Sequence, residues 1–445
     1  MTSGGMTNVR PLPRPTGDLE GVQPFVGLLR AQAESLPGAR LGWLANRRAA
    51  ALAAAQRIGL PTQKAESWRN TPLRLLKRHD YDLPAAAPNL DRAPALLEDA
   101  QRLVFLDGLQ AANLGSAPEG PAGVVSLAVA LAQDPGSLEE LLTLAPEASA
   151  FQALNLALFQ DGALVAVPEK TRLERPLEIV YVNGLVEGPR TAHPRQEILL
   201  GAGSEALLVE QHLGMGEAPR FLNHATRIDL GAGARLTHVV VVAEGAETLH
   251  LGHCEVSVAR DAAYRQVTLF LGGALCRRDL RVVLQAPNAE VTANAAYLLK
   301  DGEQADLVTE LVHRAPQTRS QAVIKGALAD SSRQGVQGCI TVEPGAAHAD
   351  GRLSAKTLLL SDRATINAKP ELRIFHDDVQ CAHGATSGKL DDNALFYLRS
   401  RGMPEGLARR LLIGAFVAET LEGLPAPVAG PLQARLERKL LELQP

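Results

Sequence analysis

The chain has 445 residues, of which 46% are hydrophobic and 21% charged, and its formal net charge is −4 at pH 7. This balance is typical of a globular protein with a large core, and the length suggests roughly two to four domains. The small negative charge gives no electrostatic basis for binding nucleic acid or an anionic membrane. Four cysteines without a CxxC pair, and no stretch of the roughly 20 apolar residues that cross a bilayer, make a cytoplasmic protein the simplest expectation.

The N-terminal part is predicted to be helical after a short polar lead. Residues 1–17 hold no apolar core of the kind that a secretory signal needs, so we expect a flexible lead there. An N-terminal helical domain is predicted for residues 18–95, because the alanine-rich segment GARLGWLANRRAAALAAAQRIG has helical apolar spacing. Thr71, followed by Pro72, is expected to cap a further helix in ESWRNTPLRLLKR.

The middle of the chain, residues 96–388, is predicted to be a β domain. LVFLDG is its first expected strand, and VVSLAVALAQ and SLEELLTLA are expected to form a helical insertion near residues 123–150. Farther on, short apolar runs recur about every 10 to 15 residues, separated by Gly, Pro, Asn or Asp. Several alternate with a period of two, as do Leu280, Val282 and Leu284. No helical pattern separates these runs, which argues against a βαβ repeat.

Repeated turns in this region favour one β architecture. The tags GAGS, GAGA, APNA and PGAA begin at residues 201, 231, 286 and 344, and each precedes a strand-like run. This repetition, with only 4% aromatic residues, favours a β-solenoid whose narrow layers hold Val, Ile, Leu and Ala. The repeat is too degenerate to define the length of one coil, and a pair of β-sandwiches is the structural alternative.

The helical pattern returns in residues 389–445, which are predicted to form a C-terminal helical domain. One helix is expected to begin at the aspartates 391–392 and to end at Gly402, a second to follow Pro404, and a third to span residues 431–443. The second helix has Leu407, Leu411, Ala415 and Ala418 on one face, and the third has Leu432, Leu436, Leu440 and Leu443. Apolar faces of this kind can dock a partner or pack on the β domain.

Two glycine-rich stretches look like nucleotide-binding loops but lack the defining spacing. GATSGK, residues 384–389, has three residues between its glycines instead of four, and Leu390 follows the lysine where Ser or Thr is required. GAGSEA, residues 201–206, is followed by another turn and strand, where a dinucleotide fold needs a helix. We therefore expect the chain itself to bind no nucleotide.

One histidine–cysteine group lies in LHLGHCEV, residues 249–256. In an extended strand His250 and Cys254 share one face, whereas His253 points to the other. Imidazole and thiolate are suitable ligands for zinc, iron or copper. Because no fourth ligand is apparent, His250 and Cys254 are the weaker candidates for a metal site.

A second group lies in DDVQCAHGATSG, where Cys381 and His383 share one face of an extended chain and His376 has the opposite parity. A thiolate beside an imidazolium is activated, but no third residue that would orient such a pair for hydrolysis is identifiable. A pair at the end of a strand can instead supply two ligands of a site that another chain completes. A buried thiol and a structural histidine are the alternative.

The two ends of the chain resemble the SufD branch of the SufB/SufD family, which belongs to the SUF machinery of iron–sulfur cluster assembly. The resemblance rests on INAKPELRIFHDDVQCAHGATSGKLDDNALFYLRSRG and on GLPTQKAESWRNTPL, residues 59–73. The SufB branch typically has an acidic residue and HEA-[ST]-[TS]-S-K where this chain has C-x-H-G-A-T. Arg69-Asn70 departs from the more usual Lys-Tyr of the N-terminal motif, and His376 stands where the family commonly has a small or polar residue.

The resemblance implies a right-handed parallel β-helix between two helical domains. It also implies a complex in which a SufB-like subunit pairs through the β-helix and SufC-type ATPase subunits dock on the C-terminal helices. His383 matches the interface histidine of the family, which faces a nascent iron–sulfur cluster shared with SufB, and Cys381 matches the thiol of the same motif. By this resemblance the chain is a non-catalytic subunit that passes clusters to apo acceptor proteins, and it can form a homodimer when alone.

Two other functions remain open from the sequence. A β-solenoid can bind or cleave carbohydrate through clustered acids, for which Asp377, Asp378, Asp391 and Asp392 are the most obvious candidates. The last pair fits a helix start better, since acids favour helix N-termini. A passive interaction scaffold is the third hypothesis.

Overall fold

Short parallel strands make up most of the computed structural model between residues 101 and 388. The structure describes residues 17–116, 120 and 122–443, so the lead predicted for residues 1–17 lies outside the described residues except for Gly17. The strands wind into a β-solenoid of about eight turns with helices at both ends. This confirms the predicted fold class and excludes the pair of β-sandwiches.

The elements follow one another in the order that the sequence predicts, with strands between two helical regions. The strands are β1 (Gln101–Leu106), β2 (Leu109–Gln110), β3 (Gly123–Ser126), β4 (Gly162–Val167), β5 (Leu177–Asn183), β6 (Arg190–Ala192), β7 (Arg195–Leu200), β8 (Glu205–Gly214), β9 (Arg220–Leu230), β10 (Arg235–Ala243), β11 (Thr248–Val258), β12 (Ala263–Phe270), β13 (Leu275–Leu284), β14 (Glu290–Leu299), β15 (Gln304–His313), β16 (Arg319–Leu328), β17 (Arg333–Val342), β18 (Ala349–Leu359), β19 (Thr365–Ile374) and β20 (Val379–Gly388). The α-helices are α1 (Gln23–Gln32), α2 (Gly42–Ile58), α3 (Leu127–Gln133), α4 (Ala150–Leu158), α5 (Asp392–Ser400), α6 (Glu405–Ala418) and α7 (Ala426–Glu442). Within the described residues, no helix is both long and apolar enough to cross a membrane.

Each coil of the solenoid contributes one strand to each of two sheets. The first sheet has the order β2-β1-β5-β8-β10-β12-β14-β16-β18-β20, and the second has the order β19-β17-β15-β13-β11-β9-β7-β4-β3, with β6 beside β9. Glu205, Arg235, Ala263, Glu290 and Arg319 are register partners in successive strands of the first sheet. One coil therefore takes about 30 residues, a length that the degenerate repeat did not define.

The glycine-rich tags form the turns between the two sheets. GAGS lies between β7 and β8, and GAGA lies one coil later between β9 and β10. Gly203 and Gly233 have φ angles of 65° and 68°, a left-handed conformation that glycine adopts without a steric penalty. The Gly203 N–H donates to the Ala232 carbonyl, so one turn stacks on the next. The same backbone requirement in each coil explains why the tag recurs.

Alternate side chains of the strands fill the solenoid with aliphatic layers. Ile228, Val256, Val282, Leu311 and Ile340 are register partners on five successive strands of the second sheet. Each is at most 2% exposed. Complete burial of such a side chain contributes roughly 1.5–3 kcal/mol. The layers thus confirm the predicted use of Val, Leu, Ile and Ala at inward positions.

The N-terminal helices cover the outer face of the second sheet. Phe221 on β9 is fully buried there, with ring centroids 5.6 Å from Phe25 of α1 and 6.0 Å from Phe151 of α4. In α2, Arg48 donates to the carbonyls of Ala157 and Phe159, and burial lowers the pKa of Arg48 to about 9. This layer is therefore anchored by aromatic packing and by a buried guanidinium.

The helix predicted in ESWRNTPLRLLKR is absent from the described structure, where this stretch forms a short 3₁₀ turn followed by irregular turns. Thr71 does not cap a helix; its hydroxyl donates to the Asp306 carboxylate. Arg277 stacks over the Trp68 ring at 3.9 Å and donates to the Ser67 carbonyl. Contacts with distant solenoid strands therefore replace the hydrogen bonds of a local helix.

The predicted helical insertion is half correct. VVSLAVALAQ splits into β3, which pairs antiparallel with β4, and the short helix α3, whose N-cap is Ser126. SLEELLTLA was predicted to be a helix, but it forms a 3₁₀ turn and then irregular turns. Leu138 and Leu142 within it are fully buried in the N-terminal core, so tertiary packing overrides the local helix propensity.

The C-terminal helices cover the outer face of the first sheet. Ile413 and Val417 of α6 and Leu432 of α7 belong to one buried cluster with Val239 and Val241 of β10. The third helix begins at Ala426, earlier than the predicted start at residue 431. The solenoid thus carries a helical layer on each outer face.

Replacing Asp391 with alanine is expected to loosen α5. The Asp391 carboxylate accepts hydrogen bonds from the N–H groups of Asn393 and Ala394 at 2.9 and 3.4 Å. Loss of an N-cap of this type costs about 1 kcal/mol, which corresponds to roughly fivefold faster hydrogen exchange of the α5 amides. Asp392→Ala removes the same charge without the cap and is the matched control. Equal exchange rates in the two variants would contradict the capping role.

Candidate functional site

The last coil of the solenoid places Cys381 and His383 next to each other on β20. Their register partners on β18 are Gly351 and Leu353. Leu353 belongs to the inner core, so the alternation of the strand turns Cys381 and His383 toward the inside as well. Cys381 packs half-buried against that core, whereas His383 is exposed.

The solenoid is open at this end over the described part of the chain. β19 and β20 are the last strands of their sheets, so their outer backbone edges pair with no other described strand. The inward side chains of this coil have no further coil above them, and Ile374 is 41% exposed. The adjoining Phe375 is 63% exposed. Unpaired strand edges beside exposed apolar side chains are the features to which another chain binds.

The surroundings of the two side chains give them different properties. Burial raises the pKa of the Cys381 thiol, with a further contribution from Asp350, and a backbone hydrogen bond of Gly351 opposes the rise. The thiol form is therefore favoured, which argues against an activated thiolate nucleophile. His383 has no hydrogen bond or ion pair with any described residue, so its ring is available to a group from outside. His376, by contrast, accepts the Asp378 N–H at 3.2 Å.

His250 and Cys254 both point inward from β11 but do not share a donor set. They lie about 13 Å apart along the strand. Cys254 lies in the apolar core, where burial raises its pKa to about 11. His250 instead meets His212 and His224, and one ring nitrogen from each of the three lies within 4.8 Å of the others. His253 points outward and lies 6.5 Å from the Phe151 ring.

Sequence reasoning missed His212 and His224, which lie on β8 and β9. Their distance from His250 depends on which strands face each other inside the solenoid. That arrangement depends on the number of residues per coil, which the sequence did not define. Each of them has the parity of an inward aliphatic residue on its own strand, Leu208 for His212 and Ile228 for His224, and this parity was the available signal.

A second surface of interest lies on the C-terminal helices. A groove of about 680 Å³ runs between α6 and α7 on the side away from the solenoid. Leu407, Leu411 and Leu441 line it and are 40%, 48% and 60% exposed. On α5, Phe396 and Tyr397 are 74% and 57% exposed. The helical layer therefore presents an apolar outer face in addition to the face that packs on the sheet.

Three of the four acidic residues considered for carbohydrate chemistry have structural roles. Asp391 caps α5 and Asp392 begins it. Asp378 lies 2.9 Å from the His348 ring, and both side chains are exposed. These contacts give the acids ordinary surface roles.

The molecule is thus a parallel β-solenoid with helices on both outer faces and with an exposed histidine and a half-buried thiol on its last coil. Two family models match this chain. The SUF system FeS cluster assembly SufBD core domain matches residues 183–416, and the SufBD protein N-terminal region matches residues 21–179. The chain belongs to this SufBD family.

Curated relatives agree with the family models. The chain is 33% identical to the iron–sulfur cluster assembly protein SufD of Escherichia coli over 83% of this chain and 86% of that protein. It is 27% identical to a SufBD family protein of Synechocystis over 89% and 90% of the two chains. It is 28% identical to SufD of Bacillus subtilis over 65% and 66%. The resemblance to SufD predicted from the motifs is confirmed, and the carbohydrate alternative is not favoured.

Proposed function

We propose that this chain, an iron–sulfur cluster assembly subunit by its family, pairs with a SufB-like subunit through the open end of the solenoid and shares a nascent cluster with it. The observation that carries the proposal is the exposed, unpartnered imidazole of His383 on the uncovered inner face of the last coil. In this reading a partner strand extends the sheets at β19 and β20, and the same contact brings the partner's ligands to His383.

The donor set suits a cluster that must be released. Iron–sulfur clusters held by four cysteine thiolates are stable cofactors, and replacement of thiolates by histidine changes their properties. A single imidazole from this chain, opposite ligands from the partner, leaves the site incomplete until the two subunits meet. Cys381 lies two residues away on the same face of β20, and its proposed role is that of a neighbouring thiol that tunes the site. The cluster is cargo here, passed to apo acceptor proteins.

The apolar groove between α6 and α7 is the proposed docking site for a SufC-type ATPase. The residues GATSG, 384–388, form the last part of the extended strand β20 and are not a loop that opens a helix, as a phosphate-binding motif requires. ATP hydrolysis would then come from the partner, and this chain would be a non-catalytic subunit of a cytoplasmic complex. Without its SufB-like partner, two copies of the chain can pair through the same exposed end.

Co-purification tests this function directly. This chain, carrying an affinity tag, is co-expressed with a SufB-like chain and a SufC-type ATPase, and all three are expected to elute together. Anaerobic addition of iron and sulfide should then give the visible absorbance of a cluster in the complex and much less in this chain alone. Elution of this chain by itself, with neither partner, would overturn the proposal, and retention on immobilised polysaccharide would revive the carbohydrate hypothesis.

A further inference from the structure

We propose that the interior of the solenoid holds a second, separate metal site, in which His212, His224 and His250 bind one divalent first-row transition metal ion of the zinc type. The three side chains come from β8, β9 and β11 and are each at most 1% exposed. One ring nitrogen of each lies within 4.8 Å of the others. This site is independent of His383 and of the proposed cluster.

Four ring nitrogens of these histidines have no hydrogen-bond partner among the described residues. They are Nδ1 of His212, Nε2 of His250 and both ring nitrogens of His224. Buried polar atoms are nearly always hydrogen-bonded, so three neighbouring imidazoles with free nitrogens require an explanation. A metal ion bound by all three would satisfy one nitrogen from each ring. Zn²⁺ bonds of about 2.0–2.1 Å would draw these nitrogens closer together than in this structure, through small rotations of the rings.

The other nitrogens of two of these rings are held by carboxylates. His212 Nε2 lies 2.5 Å from Glu210 Oε1, and His250 Nδ1 lies 3.2 Å from Glu244 Oε1. When the carboxylate accepts the N–H of such a neutral ring, the opposite ring nitrogen keeps a lone pair that can bind a metal ion. Carboxylate–histidine–metal chains of this kind fix the tautomer and the orientation of metal-bound histidines. Two of the three imidazoles thus already have the supporting contact that a metal ligand needs.

The charged groups around the three histidines favour binding of a cation. Glu210 and Glu244 face these histidines, and Arg278 is the opposing cation, with Nη1 3.8 Å from Glu210 Oε1. Two carboxylates and one guanidinium leave an excess negative charge that a divalent ion would offset.

The chemistry of the donors indicates the class of metal. Imidazole nitrogens suit zinc, copper, iron and nickel, whereas magnesium and calcium require oxygen ligands. Three histidines also leave a fourth position for water or another small ligand. Because the three histidines are buried, we expect the metal ion to enter as the chain folds and to exchange slowly afterwards.

Metal content of the full chain tests the site. The chain is expressed in medium supplemented with Zn²⁺ or Co²⁺ and desalted extensively in the presence of a chelator. We expect about one metal ion per chain in the wild type, and less than a tenth of that in His224→Gln. His313→Gln is the matched control, because His313 is a buried histidine of the same solenoid with both ring nitrogens bonded to Thr318 and Ser320. His383→Ala should also keep the metal, which separates this site from the proposed cluster site.

Spectroscopy of the wild type keeps the test decisive if His224→Gln fails to fold. The Co²⁺ form should show d–d absorption without thiolate charge-transfer bands, and X-ray absorption of the Zn²⁺ form should show imidazole nitrogens in the first shell. A wild-type chain free of metal, full metal retention in a folded His224→Gln variant, or sulfur ligands in the spectrum would each overturn the proposal.

Discussion

Replacing His383 with alanine is expected to leave the subunits assembled and to reduce cluster formation at least about tenfold. The exposed ring makes no hydrogen bond or ion pair with the described residues of its own chain, so its removal should cost little folding stability. It is one side chain of an interface that must bury many, so assembly should persist. Cluster binding should suffer because loss of a supporting residue alone commonly costs 10- to 100-fold in metal affinity, and loss of a ligand costs at least as much.

The measurement is anaerobic reconstitution of each purified complex with iron and sulfide. Visible absorbance reports the cluster, transfer to an apo acceptor reports its release, and size-exclusion chromatography reports assembly. His376→Ala is the matched control, because His376 is a nearby half-buried histidine whose ring accepts a hydrogen bond within its own chain. Cys381→Ala should have a smaller effect than His383→Ala, since the thiol is half-buried in the apolar core.

A replacement that restores the donor separates chemistry from packing. His383→Cys supplies a thiolate at the same position and should recover part of the cluster absorbance, whereas His383→Asn fills similar space with a poor iron ligand and should not. Normal cluster formation by an assembled His383→Ala complex would show that the histidine is not a ligand. Failure of that complex to assemble would assign His383 to the interface alone.

The pairing of Cys381 and His383 could be predicted because it depends on one strand only. In any extended segment, residues i and i+2 share a face. The two-residue period of a strand was therefore enough to predict that Cys381 and His383 lie side by side. The same reasoning placed His250 and Cys254 on one face and His253 on the other. The aliphatic layers followed for the same reason, since Leu280, Val282 and Leu284 alternate within β13.

Contacts between distant segments could not be predicted in this way. Thr71 bonds to Asp306, 235 residues away, and a local pattern of Thr followed by Pro gave the wrong prediction of a helix cap. The histidine cluster joins three strands whose facing positions depend on coil length. A turn tag recurs once per coil but tolerates Gly, Asn and Asp at its left-handed position, as at Gly203, Asn288 and Asp261, so the period was obscured.

The double substitution Leu411→Glu and Leu441→Glu is expected to weaken capture of the SufC-type ATPase by at least about 30-fold. Both side chains line the groove between α6 and α7 and are about half exposed. A charge at the centre of an apolar interface commonly costs 2 kcal/mol or more, which is about a 30-fold change in affinity. The fold should tolerate the change, because Ile413, Val417 and Leu432 hold the helices to the sheet from the opposite face.

This pair of substitutions is a sharper test than removal of the C-terminal helices. Deletion would also uncover Val239 and Val241, which these helices bury, and the loss of capture could then follow from misfolding.

The matched control is Met215→Glu, which introduces one charge at a residue 49% exposed on the solenoid. Affinity is measured by titrating the ATPase against the immobilised full chain, with pairing to the SufB-like subunit as the second readout. Undiminished ATPase binding by the double variant would show that the groove is not the docking site. Loss of both partners together would indicate a general folding defect.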